Sequence, residues 1–112
     1  MKSAEHYLSR AADEMRDRAA ARDQPGGERS MAACVAAFNA LYGLGMTETQ
    51  GWQFMSLLKK ARGSRGDYRE DDYTDDVAYA SLAAECASRI EAQRPWPKLY
   101  PQPETCGLKS EG

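Results

Sequence analysis

Glu70-Asp71-Asp72-Tyr73-Thr74-Asp75-Asp76-Val77-Ala78-Tyr79 runs without a break into Ala80-Ser81-Leu82-Ala83-Ala84-Glu85-Cys86-Ala87-Ser88-Arg89-Ile90. Wound at about 100° per residue, this segment gathers Tyr79, Leu82, Ala83, Cys86 and Ile90 on one helix face. Ser81, Glu85, Ser88 and Arg89 fall on the opposite face, where a solvated surface belongs. Traced back toward the N-terminus, the apolar stripe passes through Asp72 and Asp76, with Asp75 nearer its edge. A carboxylate on the core side of a helix needs a basic side chain, a shared proton or a metal ion, because an unpaired buried charge is very costly. The segment therefore reads as a helix, and its acids are the first place to look for chemistry.

The chain has 112 residues, a formal net charge of -2 and a hydrophobic fraction of 42%. Those values predict one domain with a small core. A near-balanced charge gives no global attraction to nucleic acid or to an anionic membrane. No apolar run approaches the roughly 20 residues that cross a bilayer, and Met1-Lys2-Ser3-Ala4-Glu5-His6 has no apolar signal core. Cys34, Cys86 and Cys106 are widely spaced and form no Cys-x-x-Cys pair. Cys34 and Cys86 sit among apolar helix residues, so buried thiols held reduced in a cytosol are the expectation.

Working outward, Ser3 caps a first helix expected to run to about Ala21. Ala4, Leu8, Ala11, Met15 and Ala19 lie on one side of it, and Arg10, Asp13, Glu14 and Asp17 on the other. A stripe made mostly of alanine requires close approach to its neighbour. His6, the single histidine, points away from that stripe and reads as an exposed first-turn residue. Asp23-Gln24-Pro25-Gly26-Gly27 has the composition of a turn. A second helix is predicted from about Glu28 or Ser30 to Tyr42, with Met31, Val35, Phe38, Leu41 and Tyr42 as its apolar side. Gly43-Leu44-Gly45 ends it, and Thr47-Glu48-Thr49-Gln50 is a capping box that opens a third.

In that third helix Trp52, Phe54, Met55, Leu57, Leu58 and Ala61 spread around much of the circumference. A helix apolar on more than one side is buried on more than one side, which points to self-association or a ligand cleft. Its stripe centres on Phe54, Leu58 and Ala61, with Lys59 and Arg62 on the flank. Gly63-Ser64-Arg65-Gly66-Asp67 is a basic loop before the acidic fourth helix. From Pro95 the chain is proline-rich and expected to be extended. The reading is an all-α, four-helix bundle-like single domain over residues 1–94, with a proline-rich tail over 95–112.

The acids admit two accounts. Mg²⁺ takes oxygen ligands, often one or two carboxylates completed by water and phosphates. Asp72 and Asp76, four residues apart, could share such an ion, with Glu28 reaching it from a facing helix and Lys59 and Arg62 on phosphate oxygens. Alternatively, Asp72 is the N-cap of the fourth helix with Asp75 completing the cap, and Asp75 is the exposed member of the run. A helix-turn-helix is suggested by the Gly43-Leu44-Gly45 corner and the basic end of the third helix. The girth of that helix and the acidic balance argue against it. With one poorly placed histidine, a nucleophile-base pair cannot be assembled.

Gly27-Glu28-Arg29-Ser30-Met31, Ala36-Ala37-Phe38-Asn39-Ala40-Leu41, Gly51-Trp52-Gln53-Phe54-Met55, Leu57-Leu58-Lys59 and Asp71-Asp72-Tyr73 through Asp76-x-x-Tyr79 resemble a family of small bacteriophage and prophage proteins of unknown function. The likeness covers roughly residues 27–85. More distantly, Asp-x-x-x-Asp-x-x-Tyr in a late helix is similar to the MazG-like, all-α nucleotide pyrophosphohydrolases, which form oligomeric helical bundles and use Mg²⁺. That resemblance implies Asp72 and Asp76 as one acidic pair and Glu28 as part of another. The MazG-like pattern pairs Glu-x-x-Glu with Glu-x-x-Asp. Here Met31 stands at the three-residue position after Glu28, and Asp72 and Asp76 are four residues apart.

The resulting expectation is a phage accessory protein in the host-cell cytoplasm, self-associating, that binds or hydrolyses nucleotides at a Mg²⁺ site of Glu28, Asp72 and Asp76. Its phosphate-binding residues would be Lys59 and Arg62. The alternative is a non-catalytic protein that binds a host or phage protein. Its interface would be drawn from Trp52, Phe54, Met55, Trp96 and Tyr100.

Overall fold

The computed structural model describes residues 1–22 and 30–93. Four helices lie among them: α1 (Ala4–Arg22), α2 (Ser30–Tyr42), α3 (Glu48–Gly63) and α4 (Glu70–Gln93). There is no strand among the described residues, and the all-α reading holds. No described helix is long and apolar enough to cross a membrane.

Local chemistry sets the boundaries. The Ser3 hydroxyl accepts the His6 backbone N–H at 3.2 Å at the start of α1. Gly43, at φ 64, closes α2, and its N–H donates to the Asn39 carbonyl at 2.8 Å. That left-handed conformation is the one glycine adopts without steric cost. The corner after α2 is tied by Asn39, whose amide donates to the Met46 carbonyl and accepts from the Met46 N–H, both at 2.9 Å. The capping box at α3 is formed: Gln50 N–H donates to Thr47 Oγ1 at 3.0 Å, and Thr47 N–H to Gln50 Oε1 at 2.9 Å. α4 begins at Glu70, so Asp72 lies inside its first turn and is not the cap residue.

α3 and α4 form the main interface. α1 packs on α4 and α2 on α3, and no other pair of helices touches among the described residues. The four helices thus stand in series, α1–α4–α3–α2, as an open arrangement in which the two end helices each have one neighbour. The core centres on Trp52, Ala83 and Cys86, with Met31, Tyr79 and Leu82 against them. Trp52 and Tyr79 stack at 5.9 Å between ring centroids, and the Thr49 hydroxyl donates to Cys86 Sγ at 3.1 Å. Of the expected α4 stripe, Ile90 alone is exposed. Buried Ala11 and Ala78 fit the close approach that an alanine stripe requires of α1, while Leu8 stays exposed. α2 meets α3 at Gly51, where a methyl group would lie 2.5 Å from Met31 Sδ and 2.8 Å from Val35 Cγ2. The absence of a side chain is what lets the two helices meet there.

Candidate functional site

α3 places Ser56, Lys59 and Lys60 toward α4, and α4 answers with Asp75 and Asp76. Lys59 Nζ lies 3.0 Å from Asp75 Oδ2, with about 10% of each side chain exposed. Arg18 of α1 approaches the other Asp75 oxygen at 3.6 Å. Lys60 Nζ donates to both Asp76 oxygens at 2.8 Å and to Ser56 Oγ at 3.1 Å, and the Ser56 hydroxyl donates to Asp76 Oδ1. The two lysines are neighbours on α3 and the two aspartates are neighbours on α4. One helix register therefore satisfies both pairs, each with its own cation.

Several expectations change here. Asp75, read as the exposed acid of the run, is buried and paired. Lys59, read as a flank residue for phosphate, is buried against Asp75, because the side of α3 that packs inward is Gly51, Trp52, Ser56 and Lys59. The face of Phe54, Leu57, Leu58 and Ala61 points outward instead. Trp52, expected at an interface between molecules, is a core residue of its own chain, whereas Phe54 is exposed and Met55 half-buried. Glu28, Trp96 and Tyr100 lie outside the described residues.

Asp72 is 5% exposed. Its N–H donates to the Arg69 carbonyl at 3.2 Å. Among the described residues its carboxylate takes no hydrogen bond or ion pair. It stands in the wall of an open cleft of about 780 Å³, between the last turn of α3, the following loop and the first turn of α4. Arg62, Arg65 and Arg69 line the same cleft, with Asp67 and Asp71. Among the described residues none of the three guanidinium groups is in an ion pair. A Mg²⁺ ion shared by Asp72 and Asp76 does not fit this arrangement, since the Lys60 ammonium already holds both oxygens of Asp76. No group of three or more His, Cys, Asp or Glu suited to a metal occurs among the described residues.

No family model, curated protein or solved structure matches the chain. The assignment of a role rests on the residues themselves.

A second polar cluster joins the start of α1 to the start of α4. His6 Nε2 is 2.5 Å from Glu70 Oε2, and Lys2 Nζ is 3.3 Å from Glu70 Oε1. His6 is thus half-buried and partnered, where the sequence suggests an exposed residue. The hydrogen bond from His6, followed by that from Lys2, holds the Glu70 carboxyl below its usual range. Beside it the hydroxyls of Tyr7 and Tyr68 meet at 2.8 Å. That bond is the main cause of the Tyr68 hydroxyl being pushed up to about 12. With His6 and Glu70 64 positions apart in the chain, no local signal announces this contact. The lysine-aspartate ladder was more accessible: Lys59-Lys60 and Asp75-Asp76 sit on consecutive helices joined by a short loop, which invites pairing in register.

Proposed function

We propose that this protein is a self-associating helical interaction module, two copies docking through the outward sides of α2 and α3. The observation that carries the reading is α2. It has no charged residue, and Val35 alone is buried along its length. Leu41 is 77% exposed. Phe38 and Tyr42 on the same helix, Leu44 in the corner, and Phe54, Leu57 and Leu58 on α3 are also exposed. Monomeric proteins rarely leave large apolar patches uncovered. Seven side chains of this size offer several hundred Å², the scale of one side of a standard interface at about 800 Å² per partner.

A second copy is the occupant this surface suits. Isologous docking sets a face against itself, so any charge near the axis would meet its like. The outward face of α3 carries Gln50, Phe54, Leu57 and Leu58, none of them charged, while exposed Lys60 and Arg62 lie in its last turns, where Arg62 lines the corner cleft beside Leu58 and Ala61. Leu57→Glu tests the proposal, because Leu57 is 62% exposed and the single chain tolerates a charge there. Light scattering should give the wild type a mass at least twice the 12.4 kDa of one chain, and the variant the mass of one chain with unchanged helicity. A wild type that stays at one chain at high concentration overturns it.

The second reading is that of the resemblance, a phage accessory protein that binds nucleotide with Mg²⁺. What favours it is the buried Asp72 carboxylate, left without a partner among the described residues. With Asp76 engaged by Lys60, Asp72 is the acid left to face the ligand. Nucleotide should then raise the melting temperature only when Mg²⁺ is present.

A further inference from the structure

We infer that the cleft at the α3–α4 corner is an anion site for a small phosphate ester, with Arg62, Arg65 and Arg69 on the phosphate and Asp72 on a hydroxyl or N–H of the esterified group. This goes beyond self-association and needs no metal, so it stands apart from the Mg²⁺ reading.

Arg62, Arg65 and Arg69 line one cleft, and none of them is in an ion pair among the described residues. Guanidinium is the side chain best matched to phosphate, because its forked N–H donors meet two oxygens at once. Asp72 supplies the independent second observation. A carboxylate 5% exposed and without a hydrogen bond among the described residues is costly, and it stands in the wall of this same cleft. A ligand that brings a donor to that depth relieves the cost. The cleft thus presents three guanidinium forks beside the carboxylates of Asp67, Asp71 and Asp72. The fit to a phosphate ester of a polyol or nucleoside rests on directed donors and one buried acceptor and not on net charge.

Size and charge favour a small ligand over a nucleic-acid strand. The volume of about 780 Å³ falls within the range of ligand pockets. Asp67 and Asp71 also line the cleft, and these acids disfavour a polyanionic strand more than a ligand with few charges.

The test uses the full chain in EDTA, with calorimetric titration of two probes, adenosine triphosphate and inorganic tripolyphosphate. Both carry the phosphate chain, and only the first adds hydroxyl and amino donors. Both should bind the wild type, the nucleotide more tightly, and both should weaken as salt rises. Arg65→Ala/Arg69→Ala should weaken both by about tenfold or more. Both arginines are exposed, so helicity should be unchanged. Asp72→Asn should bring the nucleotide down toward tripolyphosphate and leave tripolyphosphate as tight or tighter. Wild-type affinity in the double arginine variant, or no binding of either probe by the wild type at about 5 mM, overturns the proposal. Equal loss of both probes in Asp72→Asn overturns the part given to Asp72. Failure of Mg²⁺ to add anything sinks only the metal-dependent reading.

Discussion

The Lys59–Asp75 pair is enclosed on both sides, with about 10% of each side chain exposed. Removing one member of such a pair strands the other, whereas removing both charges costs far less. Lys59→Met should therefore lower stability by roughly 2–4 kcal/mol, moderated by Arg18 standing 3.6 Å from the same carboxylate. Adding Asp75→Asn should recover at least half of the loss in urea unfolding. A Lys59→Met protein as stable as the wild type would mean that the pair is solvated. Glu70 makes a different prediction. Its carboxyl is held below the ordinary 4.5 by His6 first and then Lys2. A depressed carboxylate contributes stability that is present above its unfolded value and lost as pH falls through the folded one. The wild-type melting temperature should fall more steeply than that of Glu70→Gln as pH drops below about 4.5, the two curves converging in strong acid. Parallel curves would remove Glu70 from any role in joining α1 to α4.

Among the elements, α3 explains both what was readable and what was not. Its start was legible because Thr47 and Gln50 satisfy each other locally, and local chemistry survives whatever packs on top. Its inward face was not legible. With apolar residues around most of the girth, periodicity alone assigns the core to Phe54, Leu58 and Ala61. The structure instead buries Trp52, Ser56 and Lys59. The reason lies in α4, whose inward side carries acids as well as apolar residues. Asp75 and Asp76 attract the lysine-bearing face of α3, and the hairpin settles on the register that pairs them. For α4, Asp72 is buried on the core side as its periodicity predicts, whereas Asp76 is only half-buried and Asp75, placed at the edge of the stripe, is the acid that goes inside. Which cation met which acid could not be read from one helix. The phosphate role expected of Lys59 fails for the same reason, and the exposed arginines of the corner, Arg62, Arg65 and Arg69, are better placed for that work.

For the molecule as a whole, the serial arrangement limits what one chain can do for its own stability. Among the described residues the buried apolar ones are Ala11, Val35, Trp52, Ala78, Ala83 and Cys86, and four of these six side chains are small. Larger ones, Leu41, Phe54 and Leu57 among them, remain at the surface. A chain that leaves large apolar residues outside gains further hydrophobic stabilisation when they are covered. If a second copy is what covers them, association adds to stability by mass action and the melting temperature should depend on protein concentration. For a dimer that unfolds as it dissociates, each tenfold increase should raise it by roughly 3–5 °C in a domain of this size. Leu57→Glu should melt at one temperature throughout, below that of the concentrated wild type. The comparison tests the second copy directly: a wild-type curve that ignores concentration over two decades removes it as the cover of α2 and α3. A slope lost only in the variant means that the second copy covers them.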